Sequence, residues 1–303
     1  MFKRALNATV RSFLLGLYKL KFMLGAQLAP RHAAASGAAL FSTPVRPGRD
    51  KLAMPADIPT PRLREATLSS GTVTLYEWGD PAQQPTVLLM HGWNGWGLQF
   101  AGFIQPFLEQ GLAVVALDFG GHGRSAGRRA SLPDFIDTTV ELLDHLPKLT
   151  GLVGHSLGAA AAACTLAQAR NSALRLVLIA PPNGPRVYLE KFGALLGMPL
   201  KLVDAIQVWI EQHYGRSFAT VSVNHIGPRI PAPTLVIHDP ADNIVPFEHG
   251  ESYARLVRHA QLAPLEGCGH FRILKSPDAI RLTVDFVMSR PSWRKPQSVS
   301  PAW

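Results

Sequence analysis

From Thr72 onward the chain alternates between two kinds of apolar pattern. Short runs that are apolar at most positions recur at Thr72–Trp78, Thr86–Met90, Ala113–Leu117, Leu149–Val153, Leu174–Ala180, Thr234–His238 and Gln261–Leu265. Continuous runs of this length, rich in Val and Leu, predict strands buried on both faces. Between them the pattern turns helical, near Phe100–Gln110, Asp134–Leu146, Leu157–Ala169, Phe247–Val257 and Pro277–Met288. The alternation predicts an α/β fold, a mainly parallel central sheet with helices on both faces. One stretch breaks the rhythm. Between Ala180 and Thr234 no buried strand appears, and Tyr188–Leu196 and Leu200–Tyr214 read as helices, with Gly197 ending the first and Pro199 opening the second. A helical insertion at about residues 183–231, on the carboxyl side of a parallel sheet, is expected to cap the ligand crevice.

The first residues follow another pattern. Leu6, Val10, Phe13, Leu17, Leu20 and Leu24 recur at steps of three and four and share one helical stripe with Phe2, while Arg4, Arg11 and Lys19 fall on the other side. Leu14, Leu15 and Phe22 lie off the stripe and widen the apolar surface. Such a basic amphipathic helix fits a peripheral membrane contact through residues 1–28, a helix docked on the protein's own surface, or a cleaved targeting peptide followed by the small residues Ala33 to Ala39. Lys19 and Lys21 interrupt the apolar run and argue against a spanning helix. The expected organisation is therefore an arm and Pro-rich linker over residues 1–62, an α/β domain over 63–288, and a Pro- and Ser-rich tail over 289–303.

Composition narrows the class. Of 303 residues 47% are hydrophobic and 17% charged, enough apolar material for a large core. The net charge is +9, but residues 1–50 carry eight basic side chains against Asp50 alone. The basicity belongs to the arm, so the globular part gives no reason to expect a nucleic-acid partner. Two cysteines, Cys164 and Cys268, read as free thiols in a reducing compartment, which makes a cytoplasmic location the expectation. No CxxC or HExxH spacing implies a metal, and no cofactor is expected.

The candidate chemistry centres on Gly154-His155-Ser156-Leu157-Gly158, a G-x-S-x-G pattern between a buried strand and an alanine-rich helix. A sharp strand-to-helix turn strains the serine backbone and brings the flanking positions so close that only small residues fit. A serine hydroxyl needs a base. Of the six histidines that follow, His270 stands on a Gly-containing loop after the last strand, before the final helix. An acid is expected after the penultimate strand, where Asp239 and Asp242 both stand; Asp242, deeper in the loop, is the better placed, and Asp239 is suited to capping the turn. The oxyanion needs two backbone N–H donors, assigned to Leu157 and Trp93. Trp96, His155, Tyr188 and Trp209 are candidates for the substrate pocket.

These residues together resemble the α/β-hydrolase superfamily over about Thr72 to Met288. The resemblance rests on His91-Gly92-Trp93, on Asp118 to Ser125 after the third strand, on Gly154 to Gly158, on Asp242 to Pro246, and on Gly269-His270-Phe271. It is closest to lidded bacterial members labelled esterase, lipase or serine aminopeptidase-like. It implies the triad Ser156, Asp242 and His270, and a structural turn at Gly120 to Ser125. One fold hosts many chemistries, and the expected activity is a cofactor-free carboxylic ester hydrolase for a small to medium apolar acyl substrate, acting through an acyl-enzyme. A thioesterase, amidase or peptidase, acyltransferase or cofactor-free haloperoxidase would use the same triad, and a ligand sensor that kept it is the non-enzymatic alternative.

Overall fold

The computed structural model describes residues 2–169 and 173–289. Among them eight strands form one sheet: β1 (Arg62–Leu68), β2 (Gly71–Trp78), β3 (Thr86–Met90), β4 (Ala113–Asp118), β5 (Leu149–His155), β6 (Arg175–Ile179), β7 (Thr234–His238) and β8 (Ala260–Pro264). Their order across the sheet is β1-β2-β4-β3-β5-β6-β7-β8. β2 runs antiparallel to β1 and β4, and every later pairing is parallel. The helices are α1 (Phe2–Leu28), α2 (Pro30–Phe41), α3 (Ala101–Glu109), α4 (Leu132–His145), α5 (Leu157–Ala169), α6 (Arg186–Leu195), α7 (Leu200–Tyr214), α8 (Val223–Ile226), α9 (Phe247–Leu256), α10 (Gly269–Arg272) and α11 (Pro277–Met288).

The apolar runs are central because both of their faces are covered. Every residue of β3, β4, β6 and β7 is buried. One apolar layer packs α4 and α5 on one face of the sheet, and the other packs α3 and α11 on the opposite face. α5 lies close because residues 158 to 163 present nothing larger than a methyl group, and all are buried.

β1 is a strand that the apolar rhythm did not mark, since it begins ten residues before Thr72. Only Ala66 and Leu68 of β1 are buried, and the strand pairs on one side alone. A half-covered edge strand carries polar residues and lacks the continuous apolar run by which the others were read.

A third apolar cluster joins the arm to the insertion. Ala33, Ala34 and Ala38 of α2 are buried with Leu202, Val203 and Ile206 of α7. A Cβ on Gly37 would collide with the side chain of Ile206. The small residues that follow the basic helix thus form the surface by which α2 presses on α7.

Candidate active site

The site lies at the carboxyl ends of the parallel strands, where loops leave the sheet. β5 ends at His155 and α5 begins at Leu157, so the chain turns at Ser156 alone. Its φ is 52°, in the left-handed region that costs a non-glycine residue of order 1–3 kcal/mol. The flanking glycines make the turn sterically open. A Cβ on Gly154 would stand 2.5 Å from the Cα of Ala159, and one on Gly158 would overlap the carbonyls of Met90 and His91.

His270 follows β8 and Asp242 follows β7. The Nδ1–H of His270 donates to Oδ2 of Asp242 at 2.7 Å, which leaves Nε2 free to accept a proton. Oδ1 of Asp242 accepts from the N–H groups of Ile244 and Val245 at 2.8 and 3.0 Å. Burial pushes the Asp242 pKa up, but hydrogen bonds from His238, His270 and these two N–H groups outweigh it. The carboxyl is held well below its ordinary value. Asp239 has another task. One oxygen accepts from the N–H of Ala241 at 2.8 Å and the other from the N–H of Gly269, so it ties the acid-bearing loop to the histidine-bearing loop.

Two histidines support this frame. His238, which the sequence marked only as a strand end, places Nε2 3.0 Å from the Val245 carbonyl and 3.4 Å from Oδ2 of Asp242. His155 donates from Nε2 to the backbone carbonyl of His270 at 2.8 Å. Burial, helped by the neighbouring His270, lowers the pKa of His155 to about 3, so the ring is neutral.

His91 fixes the peptide on the opposite side of Ser156. Its Nε2 accepts from the N–H of Phe119 at 3.0 Å, so Nδ1 carries the proton and donates to the Gly92 carbonyl at 2.7 Å. The N–H of Gly95 donates to the same carbonyl at 3.0 Å. In a trans peptide the N–H points opposite to the C=O, so fixing the Gly92 carbonyl fixes the direction of the Trp93 N–H. Among the described residues neither the Trp93 N–H nor the Leu157 N–H has a hydrogen-bond partner, and both residues border the cavity that holds Ser156.

That cavity has a volume of about 420 Å³. Ser156, His270, Trp93, Leu157, His155 and Tyr188 line it. The buried Tyr188 hydroxyl has no partner among the described residues. Trp96 and Trp209 do not line the cavity. The loop turns at Asn94, whose φ is 57°, and Trp96 packs instead against the sheet's opposite apolar layer. On α7 it is Ile210 that borders the cavity, while Trp209, a third of a turn away, stacks on His213 at 4.9 Å.

The walls that the sequence did not mark come from the arm and the insertion. Leu40 and Phe41 at the end of α2 face the cavity, together with Phe192, Ile210 and Phe218. The Phe41 and Phe192 rings lie 5.3 Å apart. The strap that follows is clamped to the domain. The Ser42 carbonyl accepts from the Ala130 N–H at 2.8 Å, and the Val45 N–H donates to the side chain of Asn94 at 2.7 Å. Arg46 donates to the carbonyls of Gly121, Ser125 and Gly127. The turn from Gly120 to Ser125 is itself a fastening. Asp118 accepts from the N–H groups of Gly97 and Arg124 and from the Tyr76 hydroxyl at 2.7 to 2.8 Å. Among the described residues no group of three or more His, Cys, Asp or Glu side chains is placed to hold a metal ion.

A model of the "Alpha/beta hydrolase family" matches residues 87–281, and the chain belongs to that family. It is similar to the monoacylglycerol lipase ABHD6 of Mus musculus, 23% identical over 264 residues, which covers 70% of this chain and 78% of that protein. It is also similar to the bifunctional esterase/perhydrolase DCH of Acinetobacter calcoaceticus, 24% identical over 257 residues, covering 67% and 91%. The crystal structure of a monoacylglycerol lipase from Paleococcus ferrophilus shares the fold, with a TM-score of 0.56 at 22% identity, over 71% of this chain and 98% of that one. The relatives named esterase and lipase support a hydrolase of this family. The arm lies outside the span matched by the family model.

Proposed function

We propose that this hydrolase cleaves a carboxylic ester with a small to medium apolar acyl group through an acyl-enzyme on Ser156. The observation that carries the reading is the 2.7 Å bond from His270 to Asp242 beside a strained Ser156 in one apolar cavity. The Ser156 hydroxyl passes its proton to Nε2 of His270 as Oγ bonds to the ester carbonyl carbon. Asp242 stays ionised and stabilises the imidazolium. The N–H groups of Trp93 and Leu157 hold the oxyanion. His270 then gives its proton to the leaving alkoxide as the carbon–oxygen bond breaks. Water, deprotonated by the same ring, releases the acid and restores Ser156. Residues 183–231 act as the cap of this pocket, with Tyr188 offering one hydrogen bond in an apolar wall. The names of the lipase and esterase relatives support an ester over an amide.

A fluorophosphonate probe and nitrophenyl esters of short and medium chain test the reading. The wild type should be labelled at Ser156 and turn over, and Ser156→Ala should lose labelling and at least about a thousandfold in kcat. Unlabelled Ser156, or equal turnover by Ser156→Ala, would overturn it. Faster release of a thioester than of its oxygen ester would move the assignment to a thioesterase.

A further inference from the structure

Over residues 14–28, α1 does not pack through the leucine stripe that its sequence displays. It docks through the opposite side, where Phe22 is 1% exposed and Leu15 and Ala26 are partly buried against the arm–insertion cluster. Burying one phenylalanine side chain contributes about 2–3 kcal/mol, enough to hold the helix in place. Over these residues the stripe stays open. Leu17, Leu20 and Leu24 are 48%, 49% and 44% exposed, and Leu28, on the same line, is 80% exposed. At about 100° per residue these four fall within an arc of about 80°, roughly opposite Phe22. Leu14 and Tyr18 widen the arc and are also exposed. A surface helix of a soluble domain ordinarily has one apolar face, which its own core covers. Over residues 14–28 α1 has two, and one of them is uncovered.

We infer that the open face of α1 seats this protein on the surface of a bilayer that carries anionic phospholipid. The charge of the segment selects that occupant. Residues 1–49 contain no Asp or Glu. Lys19 and Lys21 are exposed on α1, and Arg31 is exposed at the start of α2. Lys21 stands beside the apolar arc, while Lys19 lies on the docked side next to Gly197. Lys21 and Arg31 meet phosphate while the leucines enter the boundary of the acyl region. From Leu14 to Leu28 the face runs for about 21 Å along the helix axis, the geometry of a helix lying flat. Among the described residues no helix is long and apolar enough to cross a membrane. The arm then runs on into Leu40 and Phe41 of the cavity wall, so one continuous segment carries both the open face and part of the pocket.

Flotation of the full chain with vesicles tests this without reference to catalysis, so its outcome is independent of the ester reading. The wild type should float with phosphatidylcholine vesicles that contain phosphatidylglycerol, at least about tenfold more than with phosphatidylcholine alone, and high salt should weaken it. The double variant Leu17→Glu/Leu24→Glu should stay behind. Both side chains are exposed, so its melting temperature should match the wild type and show that the fold is kept. Absence of flotation, or equal flotation of wild type and variant, would overturn the proposal. A wild-type dimer in solution that the same variant converts to a monomer would assign the face to a second copy, and would overturn it too.

Discussion

The residue before the proposed nucleophile holds the backbone of the proposed base: the Nε2–H of His155 donates to the carbonyl of His270 at 2.8 Å. The two rings lie 4.7 Å apart. Ser156 inherits its position from β5 and α5, while His270 sits on the loop after β8. The His155 contact is a direct tie between these elements.

Removing that tie should loosen the base without removing it. His155→Leu leaves the buried His270 carbonyl without its donor. A displacement of the ring by about 1 Å is expected to lower kcat by about ten- to a hundredfold. KM should change little, since the apolar walls are intact. Steady-state kinetics on a nitrophenyl ester checks this, and an unchanged kcat with a raised KM would show that His155 serves the pocket instead.

Three buried histidines give the fold an acid limit. Burial lowers His91 to about 4, and it lowers His122 and His155 to about 3, with help from neighbouring rings for these two. In the unfolded chain each takes a proton near the ordinary value of about 6.5. Below that pH the unfolded state binds more protons than the folded state, so stability falls as pH falls from about 6.5 towards 4. For His91 alone the loss at pH 5 is about 2 kcal/mol. Chemical denaturation between pH 8 and pH 5 should show the decline, and His122→Gln should flatten its slope by about one proton.

The arm should set acyl preference. Phe41 and Phe192 face each other at 5.3 Å on the cavity wall. Phe41→Ala opens that wall by a ring. It should raise the kcat/KM of a longer acyl ester relative to a shorter one by about three- to tenfold, from a burial contribution of about 0.8 kcal/mol per methylene. A nitrophenyl ester series reads the ratio directly, and an unchanged ratio would place the acyl chain elsewhere.

The fold was legible where burial is continuous. Seven apolar runs became β2 to β8, and the helix anticipated over Leu200–Tyr214 is α7 with the same bounds. β1 was not legible, because an edge strand with two buried positions has no apolar run to display. The candidate triad was legible because each member sits on a short local motif at a strand end. The cavity walls were not. Size alone pointed to Trp96 and Trp209, but the turn at Asn94 and the phase of α7 send both away from the cavity.

The sequence by itself determined the alternation of strands and helices, the strained turn at Ser156 and the order in which His91, Ser156, Asp242 and His270 leave the sheet. All of these follow from local pattern, from hydrophobic period and from glycine at positions where a Cβ would clash. Only the tertiary structure decided which face of α1 is covered, that Phe41 closes a cavity more than a hundred residues away in the chain from Ser156, and that His155 and His238 brace the histidine–aspartate pair. Those relationships depend on how distant segments meet, and an amphipathic or aromatic residue carries no mark of which neighbour will cover it.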